Sequence, residues 1–237
     1  MHSVFSVSQA GADYLREKFP QFRGKIRVAR LGVAPALSAC NSDQQLMTVV
    51  SCSFIVPVKR LESLIDALAE LQARGRKVRW FHIGPDESDY AGSVRQRAGE
   101  FLEAGTYSFV GGLANAEVRH WLAAHPGSAF VNVSASEGVP VSIMEALSQG
   151  LPIIATDVGG NSETIDVEGG MFDGLLPANP TPVELADRLN SLLSTDDEAY
   201  RAYVKSSHSH WARAWSAETN FSKFAALLAD LATPPKG

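Results

Sequence analysis

The sequence predicts a doubly wound α/β fold, in which a Rossmann-like parallel sheet of about six strands is flanked by helices. From about residue 26, short β-branched runs alternate with longer helical patterns, which is typical of a parallel sheet wrapped by helices. The chain has 237 residues, enough for one sizeable α/β domain with appendages. Hydrophobic residues make up 45% and charged residues 20%, which indicates a chain that buries a core.

The predicted elements follow in order along the chain. Six apolar runs are the expected strands: 26–33, 47–54, 78–83, 107–110, 129–133 and 151–156. After the second run, leucine and isoleucine recur at helical spacing from Leu61 to Leu71, so a crossover helix is expected to end near Gly75. Similar patterns predict helices at about 91–104, 115–125, 140–149 and 182–194, and further helices within 195–233. Residues 34–46 predict a connection, and 233–237 a frayed tail.

The charge and cysteine content argue against several classes of function. A net charge of −5 argues against a nucleic-acid-binding surface, which normally carries a basic excess. Cys40 and Cys52 lie outside any metal-ligand spacing, so reduced thiols in the cytosol are expected. The N-terminus lacks the pattern of a signal peptide, and the apolar runs are too short to span a bilayer. A cytoplasmic protein is therefore expected.

The stretch after the run at 129–133 is the candidate site. In an open doubly wound sheet, ligands bind outside the carboxyl ends of the strands, where loops meet helix N-termini. Pro140 suits the first position of a helix and Gly150 its terminating position. The amides of Val141, Ser142 and Ile143 would then lack partners, and such amides form an anion site suited to a diphosphate.

Two carboxylates lie beside this predicted phosphate site, Glu137 on the loop and Glu145 on the helix. Carboxylates repel phosphate but bind hydroxyl groups, so one would face the ribose of a nucleotide and the other a transferred sugar. Alternatively, Glu137 only interacts favourably with the helix dipole and Glu145 is a solvated helix residue. The spacing alone leaves both interpretations open.

The segment 136–163 closely resembles the donor-binding stretch of family 4 glycosyltransferases, which carries two glutamates separated by seven residues. The resemblance covers nearly the entire chain. Residues 6–9 and 28–33 are similar to the family's link out of its N-terminal domain. Residues 57–60 resemble its basic loop, and residues 81–85 and 109–113 match the loops after its next two strands. This ordered set is far more specific than any one part.

The resemblance implies a role for each matched position. Glu145 is similar to the glutamate that holds the ribose hydroxyls, and Gly112 and Leu113 resemble the wall that meets the nucleobase. The implied catalytic residues are Glu137 and Lys59. Glu137 matches the residue that contacts the donor sugar near its reacting face, and Lys59 matches the lysine that neutralises the diphosphate. The other implied donor contacts are Ser53, Arg60, Gly84, Gly138, Val139, Pro140, Val141 and Ser142.

The sequence departs from the family pattern at one cation. The family usually carries Gly-Arg five and six positions before its loop lysine, and this chain has Ser53-Phe54 there. Arg60 follows Lys59 and would compensate if it faces the donor, although its position would equally direct it at solvent or at the following helix. Phe54 is expected to pack rather than to contact a ligand.

Several other polar and aromatic residues have a structural interpretation. His82 lies in an apolar run and is expected to be a hydrogen-bonded core histidine. Glu163 follows two glycines in a loop that the family places near the donor, but a helix-capping role stays equally open. The C-terminal cluster is expected to pack helices rather than to bind metal, because no acidic or cysteine partner completes a site. Its members are His208, His210, Trp211 and Trp215.

The resemblance implies a retaining glycosyltransferase of the GT-B fold that needs no cofactor and no essential metal. It would move a glycosyl group from a nucleotide-diphosphate sugar to an unidentified acceptor, in glycan or cell-envelope polysaccharide synthesis. Residues 1–25 would be an interdomain segment, 26–200 the nucleotide-sugar-binding domain, and 201–237 helices that cross back to an N-terminal acceptor domain. That domain is expected to be missing from the chain, so this chain alone is expected to be inactive.

Three alternatives compete with this interpretation. A nucleotide-sugar epimerase of the GT-B fold and a non-catalytic donor-binding subunit both stay open. A Rossmann oxidoreductase is disfavoured, because no Gly-x-Gly-x-x-Gly follows the first strand. Peripheral association with the inner face of a membrane, through the absent half, also stays open.

Overall fold

The computed structural model describes residues 3–36, 47–85, 87–125, 129–166 and 169–232. Cys40, most of the predicted connection at 34–46 and the predicted tail at 233–237 lie outside the described residues. Among the described helices, none is long and apolar enough to cross a membrane.

The described strands and helices alternate along the chain as the sequence predicts. The strands are β1 Val4–Ser6, β2 Ile26–Val28, β3 Met47–Cys52, β4 Val78–Ile83, β5 Tyr107–Gly111, β6 Ala129–Asn132, β7 Ile153–Thr156 and β8 Leu175–Leu176. The helices are α1 Gln9–Lys18, α2 Leu61–Ala73, α3 Asp89–Phe101, α4 Asn115–Ala124, α5 Val141–Ser148, α6 Asn161–Thr164, α7 Pro182–Leu193, α8 Asp197–Ala214 and α9 Ala217–Ala232.

Six of the described strands form one parallel sheet, which confirms the predicted fold class. The strand order is β5-β4-β3-β6-β7-β8. The chain builds outward from β3 to β4 and β5 on one side, and then returns to add β6, β7 and β8 on the other. The point between β3 and β6, where this direction reverses, is the topological switch point at which such sheets bind ligands.

The sheet is buried on both faces, as a doubly wound fold requires. Side chains of β3 alternate between two apolar clusters: Met47 and Val49 join one, and Val50 joins the other. The first cluster is covered by α2, α3 and α7, and the second by α4, α5 and the C-terminal part of α8. This packing fixes the carboxyl ends of the strands and hence the loops that follow them.

The predicted strand at 26–33 does not belong to the main sheet, and this part of the prediction is wrong. Ile26–Val28 pairs only with Val4–Ser6, in a separate parallel pair that α1 connects. Ile26 is buried but Arg27 is exposed, so this short strand lacks the continuous burial of a central strand. The sixth strand of the main sheet is Leu175–Leu176, which is too short to give a sequence signal.

Candidate functional site

An ion pair spans the switch point of the sheet. The chain leaves β3 and makes a single 3₁₀ turn at Pro57–Lys59, which brings Lys59 toward the loop after β6. Lys59 Nζ donates a hydrogen bond to Glu137 Oε1 at 2.5 Å, and the two side chains are only 19% and 10% exposed. The two residues predicted to be catalytic are therefore in direct contact.

Two further residues hold the Glu137 carboxylate. Ser134 Oγ and Asn132 Nδ2 donate to Glu137 Oε1 at 2.7 and 3.0 Å. Burial acts to raise the pKa of Glu137, but the hydrogen bonds from Lys59, Ser134 and Asn132 outweigh it and lower that pKa below its ordinary value. Glu137 is therefore ionised at neutral pH, with one carboxylate oxygen already bound by three donors.

Asn132 and Ser134 were not predicted as partners of Glu137. A signal for them was present, because Asn132 and Ser134 are the first polar residues at the end of an otherwise apolar run. In a parallel sheet, polar residues at a carboxyl end face the ligand edge, where they are available to orient a functional group.

The loop that contains Gly159 and Gly160 packs against the backbone of Glu137 and Gly138. Gly160 N donates to Gly138 O at 2.8 Å. A Cβ atom at Gly159 would lie 1.8 Å from Glu137 O, and one at Gly160 would lie 2.2 Å from Gly138 O. Gly159 also has a φ of +53°, in the left-handed region. The two glycines thus permit a close approach that fixes the Glu137 loop.

The N-terminus of α5 presents unpaired amides beside this loop. The helix begins at Val141, with Pro140 at the N-cap and without a side-chain cap. Among the described residues, no acceptor binds the amides of Val141 and Ser142, whereas Ile143 N donates to Pro140 O at 3.1 Å. The prediction of a free amide at Ile143 is therefore wrong, because the first turn closes on Pro140. Two donors remain available for an anion.

Glu145 lies one helical turn inside α5 and is only 5% exposed. Its carboxylate accepts no hydrogen bond from any residue that the structure describes. Burial raises the pKa of Glu145 to about 7, and the positive charge of Arg119 only partly opposes this effect. The alternative of a solvated helix residue does not fit this burial, and a hydrogen-bond donor that reached the Glu145 carboxylate would stabilise its charged form.

The nearby strand ends place other predicted contact residues close together. A Cβ atom at Gly84 would lie 1.8 Å from Ser53 O, so glycine is required where β4 approaches the loop after β3. His82 is fully buried between Ser51 Oγ at 2.9 Å and Ser53 O at 3.1 Å, as expected for a core histidine. Gly112 follows β5 and is exposed.

Leu113, Val139 and Pro140 complete the surroundings of this edge. Leu113 and Val139 pack partly against the apolar cluster under α5. Pro140 is buried at the start of the helix, and Gly138 has open space where a Cβ atom would lie. All predicted contact residues thus follow the carboxyl ends of β3, β4, β5 and β6, which are neighbours in the sheet.

Phe54 and Arg60 behave differently from their expected roles. The side chain of Phe54 is 68% exposed, so the expectation that it packs is wrong; the next residue, Ile55, enters the core instead. Arg60 donates to Val133 O, Ser134 O, Ala178 O and Asn179 Oδ1, each at 2.7 Å. Its guanidinium therefore faces protein oxygens rather than the space beside Lys59.

Glu163 caps a helix, but not its own. Its two carboxylate oxygens accept hydrogen bonds from Gln9 N at 2.8 Å and Ala10 N at 2.6 Å, at the N-terminus of α1. Three members of the C-terminal cluster are buried as expected, His210, Trp211 and Trp215, whereas His208 is exposed. Trp215 Nε1 donates to His210 Nε2 at 3.2 Å. Within the described ranges, no group of three or more histidine, cysteine or acidic residues is placed to hold a metal ion.

The sequence from residue 44 to residue 195, more than half of the chain, matches the family model for group 1 glycosyl transferases. The chain belongs to the group 1 glycosyl transferase family. The matched range contains every predicted donor contact, from Ser53 to Glu145. No curated protein is similar enough to count as a match.

Solved structures share the fold of this group 1 glycosyl transferase chain. A glycosyltransferase from Rickettsia africae superposes with a TM-score of 0.82 at 17% identity, covering 97% of this chain and 63% of that one. A sucrose-phosphate synthase from Thermosynechococcus elongatus gives 0.81 at 20% identity, covering 97% and 58%. HepE from Anabaena, solved with UDP-glucose, gives 0.78 at 20% identity, covering 97% and 64%. The chain thus spans about three fifths of the length of these proteins.

Proposed function

We propose that this chain is the donor-binding half of a retaining glycosyltransferase that uses a nucleotide-diphosphate sugar. The observation that carries the proposal is the arrangement at the switch point. Lys59 contacts Glu137, which lies in the loop that leads into α5. The first two amides of α5 are unpaired among the described residues, and Glu145 lies one turn further along that helix. Cationic, amide and carboxylate groups are thus available for the three parts of one nucleotide sugar.

Each part of such a donor meets a group of suitable chemistry. The diphosphate takes the amides of Val141 and Ser142 and the ammonium of Lys59, which together oppose its charge. The ribose hydroxyls donate to Glu145, which gives that buried carboxylate the partners it lacks. The transferred sugar lies against Glu137, whose second oxygen has no bond among the described residues.

The proposed chemistry is stabilisation of a leaving group. The bond between the anomeric carbon and the diphosphate oxygen breaks, the nucleoside diphosphate departs, and the oxygen of an acceptor hydroxyl bonds to the same face of the sugar while its proton passes to the departing diphosphate. Negative charge grows on the departing diphosphate, where Lys59 and the α5 amides are fixed in advance by the fold. We propose that no cofactor and no metal ion take part, and that Glu137 and Glu145 orient the donor.

We assign the acceptor to a second, N-terminal domain outside this chain. This chain alone is therefore expected to bind donor weakly and to transfer no sugar. The fold shared with HepE, which was solved with UDP-glucose, supports a nucleotide-sugar donor. On family grounds, we propose glycan or cell-envelope polysaccharide synthesis in the cytoplasm as the setting.

Ligand-observed NMR on the 237-residue chain tests the proposal with UDP, GDP, ADP and NAD. Lys59→Ala and Glu145→Ala are compared with Lys77→Ala, which changes an exposed lysine at the opposite, amino-terminal edge of the sheet. We expect one diphosphate to bind selectively, both site variants to weaken it about ten-fold or more, and the control to leave it unchanged. Binding of NAD alone would show that the assignment to sugar transfer is wrong.

A further inference from the structure

Arg60 has an unusual backbone conformation. Its φ is 49° and its ψ 40°, and it is the only residue other than glycine with a positive φ in the part of the chain that the structure describes. The left-handed region is costly for a side chain with a Cβ atom, and such residues persist only where surrounding contacts compensate. An arginine between the Lys59 turn and α2 therefore needs side-chain contacts that compensate for this backbone conformation.

The Arg60 side chain makes such contacts. Nε donates to Val133 O, Nη2 donates to Ser134 O and Ala178 O, and Nη1 donates to Asn179 Oδ1, all at 2.7 Å. An arginine has five N–H groups, so four of them are engaged. A bidentate contact with phosphate needs two adjacent donors, and Arg60 has only one left.

These contacts join the ends of three strands. Arg60 follows β3, its carbonyl partners at 133–134 follow β6, and those at 178–179 follow β8. The backbone adds one further bond between the same loops, from Ala135 N to Val58 O at 2.7 Å. The loop that carries Lys59 is therefore tied to the loop that carries Glu137 on both sides of the ion pair.

The hydrogen bonds of Arg60 connect through Ser134 to the carboxylate of Glu137. Ser134 O accepts from Arg60, and Ser134 Oγ donates to Glu137. No carboxylate forms an ion pair with Arg60 among the described residues, and burial lowers the pKa of its guanidinium. The charge of Arg60 is thus solvated by carbonyl and amide oxygens, which are contacts suited to holding loops rather than to binding substrate.

We propose that Arg60 is a positioning residue, which fixes the loop of Lys59 against the loop of Glu137 and leaves Lys59 as the side-chain cation that meets the donor diphosphate. This inference rests on the proposed function for its consequence in donor binding. The structural part of the inference, that Arg60 fixes the position of Lys59 relative to Glu137, does not rest on the proposed function.

Two substitutions of Arg60 test whether it positions the loops or supplies charge to the diphosphate. Arg60→Lys keeps the positive charge and the left-handed backbone but loses the planar fork, whereas Arg60→Gly removes the charge and relieves the backbone. If the guanidinium positions the loops, both variants lose diphosphate affinity by at least about ten-fold, since misplacement of a functional group commonly has this cost. If Arg60 supplies charge to the diphosphate, Arg60→Lys keeps most of the affinity, and the proposal is overturned.

The second readout is the titration of Glu137 in the nucleotide-free chain, followed by the ¹³C shift of its carboxylate and assigned with Glu137→Gln. We expect both variants to raise the midpoint, because the pair with Lys59 loosens; Arg76→Lys, a surface arginine bound to Ser194 Oγ, should not. An unchanged midpoint in folded Arg60→Lys overturns the inference. If no diphosphate binds the wild-type chain, the proposed function fails, yet this titration still decides the positioning role.

A milder variant guards against loss of folding. Asn179→Ala removes one of the four acceptors at an exposed loop and leaves the other three in place. We expect it to shift the Glu137 midpoint in the same direction as Arg60→Lys, by a smaller amount. No shift in either variant contradicts the positioning role.

Discussion

Glu137 and Glu145 lie eight positions apart on one loop and helix, yet their surroundings drive their protonation in opposite directions. Three donors lower the pKa of Glu137, whereas burial without a partner raises the pKa of Glu145 to about 7. The difference follows from hydrogen bonding, since both side chains are largely buried. Near neutral pH, Glu137 is an anion held by three donors, whereas Glu145 is close to the midpoint of its titration.

Replacement of Glu145 by glutamine is expected to change how stability depends on pH. The ordinary pKa of 4.5 applies to the unfolded chain and about 7 to the folded chain, so the folded chain holds the extra proton between these values. The free energy of unfolding of the wild type therefore falls as pH rises from 4.5 to 7, by at most about 1.4 kcal/mol per pH unit. Urea unfolding of both proteins from pH 5 to 8 measures this component.

Glu145→Gln should lack this fall, so its stability relative to wild type should rise up to pH 7 and then stay constant. Donor affinity should show the matching trend, because ribose hydroxyls bind a carboxylate better than a neutral acid. Wild-type affinity for the preferred diphosphate should increase through pH 7, and Glu145→Gln should follow only the titration of the phosphate itself. Parallel pH profiles for the two proteins would contradict the assignment.

Single residues also show what sequence reasoning can and cannot reach. Lys59, Glu137 and Glu145 were named as site residues from the sequence, because a family motif and the rule for strand ends both point to them. The ion pair between Lys59 and Glu137 and the burial of Glu145 were not predicted. The Arg60 contacts were not predicted either, because a left-handed backbone at a non-glycine residue leaves no pattern in the sequence. Phe54 was expected to pack, but its neighbour Ile55 enters the core where the chain turns away from β3.

At the scale of elements, burial decided which predictions succeeded. The central strands β3, β4, β6 and β7 are apolar runs covered on both faces, and their positions match the sequence prediction within two residues. The two-residue β8 carries too little sequence to be recognised, and β2 has strand character but a different partner. Periodicity predicts an element, whereas the partner of that element depends on tertiary packing.

The loop that contains Gly159 gives a test at this scale. Alanine at this position meets both a left-handed φ and a carbonyl oxygen 1.8 Å from the new Cβ atom. We expect Gly159→Ala to lower the free energy of unfolding by about 2 kcal/mol or more, and to weaken diphosphate binding by displacing the Glu137 loop. Thermal unfolding and the binding assay measure the two effects.

Gly92→Ala is the matched control. Gly92 lies in α3, has no heavy atom within 4 Å of a new Cβ atom and does not have a positive φ. Alanine should stabilise that helix by roughly 0.5–1 kcal/mol and leave binding unchanged. Equal effects of the two substitutions would contradict a specific supporting role for Gly159.

At the scale of the whole molecule, Glu163 joins two parts of the chain that are distant in sequence. Its carboxylate caps α1, in the small unit formed by β1, α1 and β2, while its own helix follows the loop under Glu137. A contact between residues 153 or 154 positions apart cannot be inferred from either segment alone. The sequence left open that Glu163 caps a helix, but it did not indicate that this helix is α1.

Glu163→Ala is expected to loosen the N-terminal unit without unfolding the main sheet. Loss of a carboxylate cap costs about 0.5–2 kcal/mol and leaves the amides of Gln9 and Ala10 without acceptors. Hydrogen exchange should become faster in α1 and stay slow in β3 and β6. Glu17→Ala, an exposed carboxylate within the same helix, is the control, and equal exchange in the two variants would contradict the link.

The central claim is that the edge between β3 and β6 binds a nucleotide diphosphate. Titration of the ¹⁵N-labelled chain with UDP, GDP and ADP, followed by amide shifts, tests it most directly. We expect one of them to shift the amides of Val141 and Ser142 most strongly, with smaller shifts around Lys59 and Glu145, and Lys59→Ala to weaken the response. Shifts that concentrate away from α5, or no response to any diphosphate, would contradict the account.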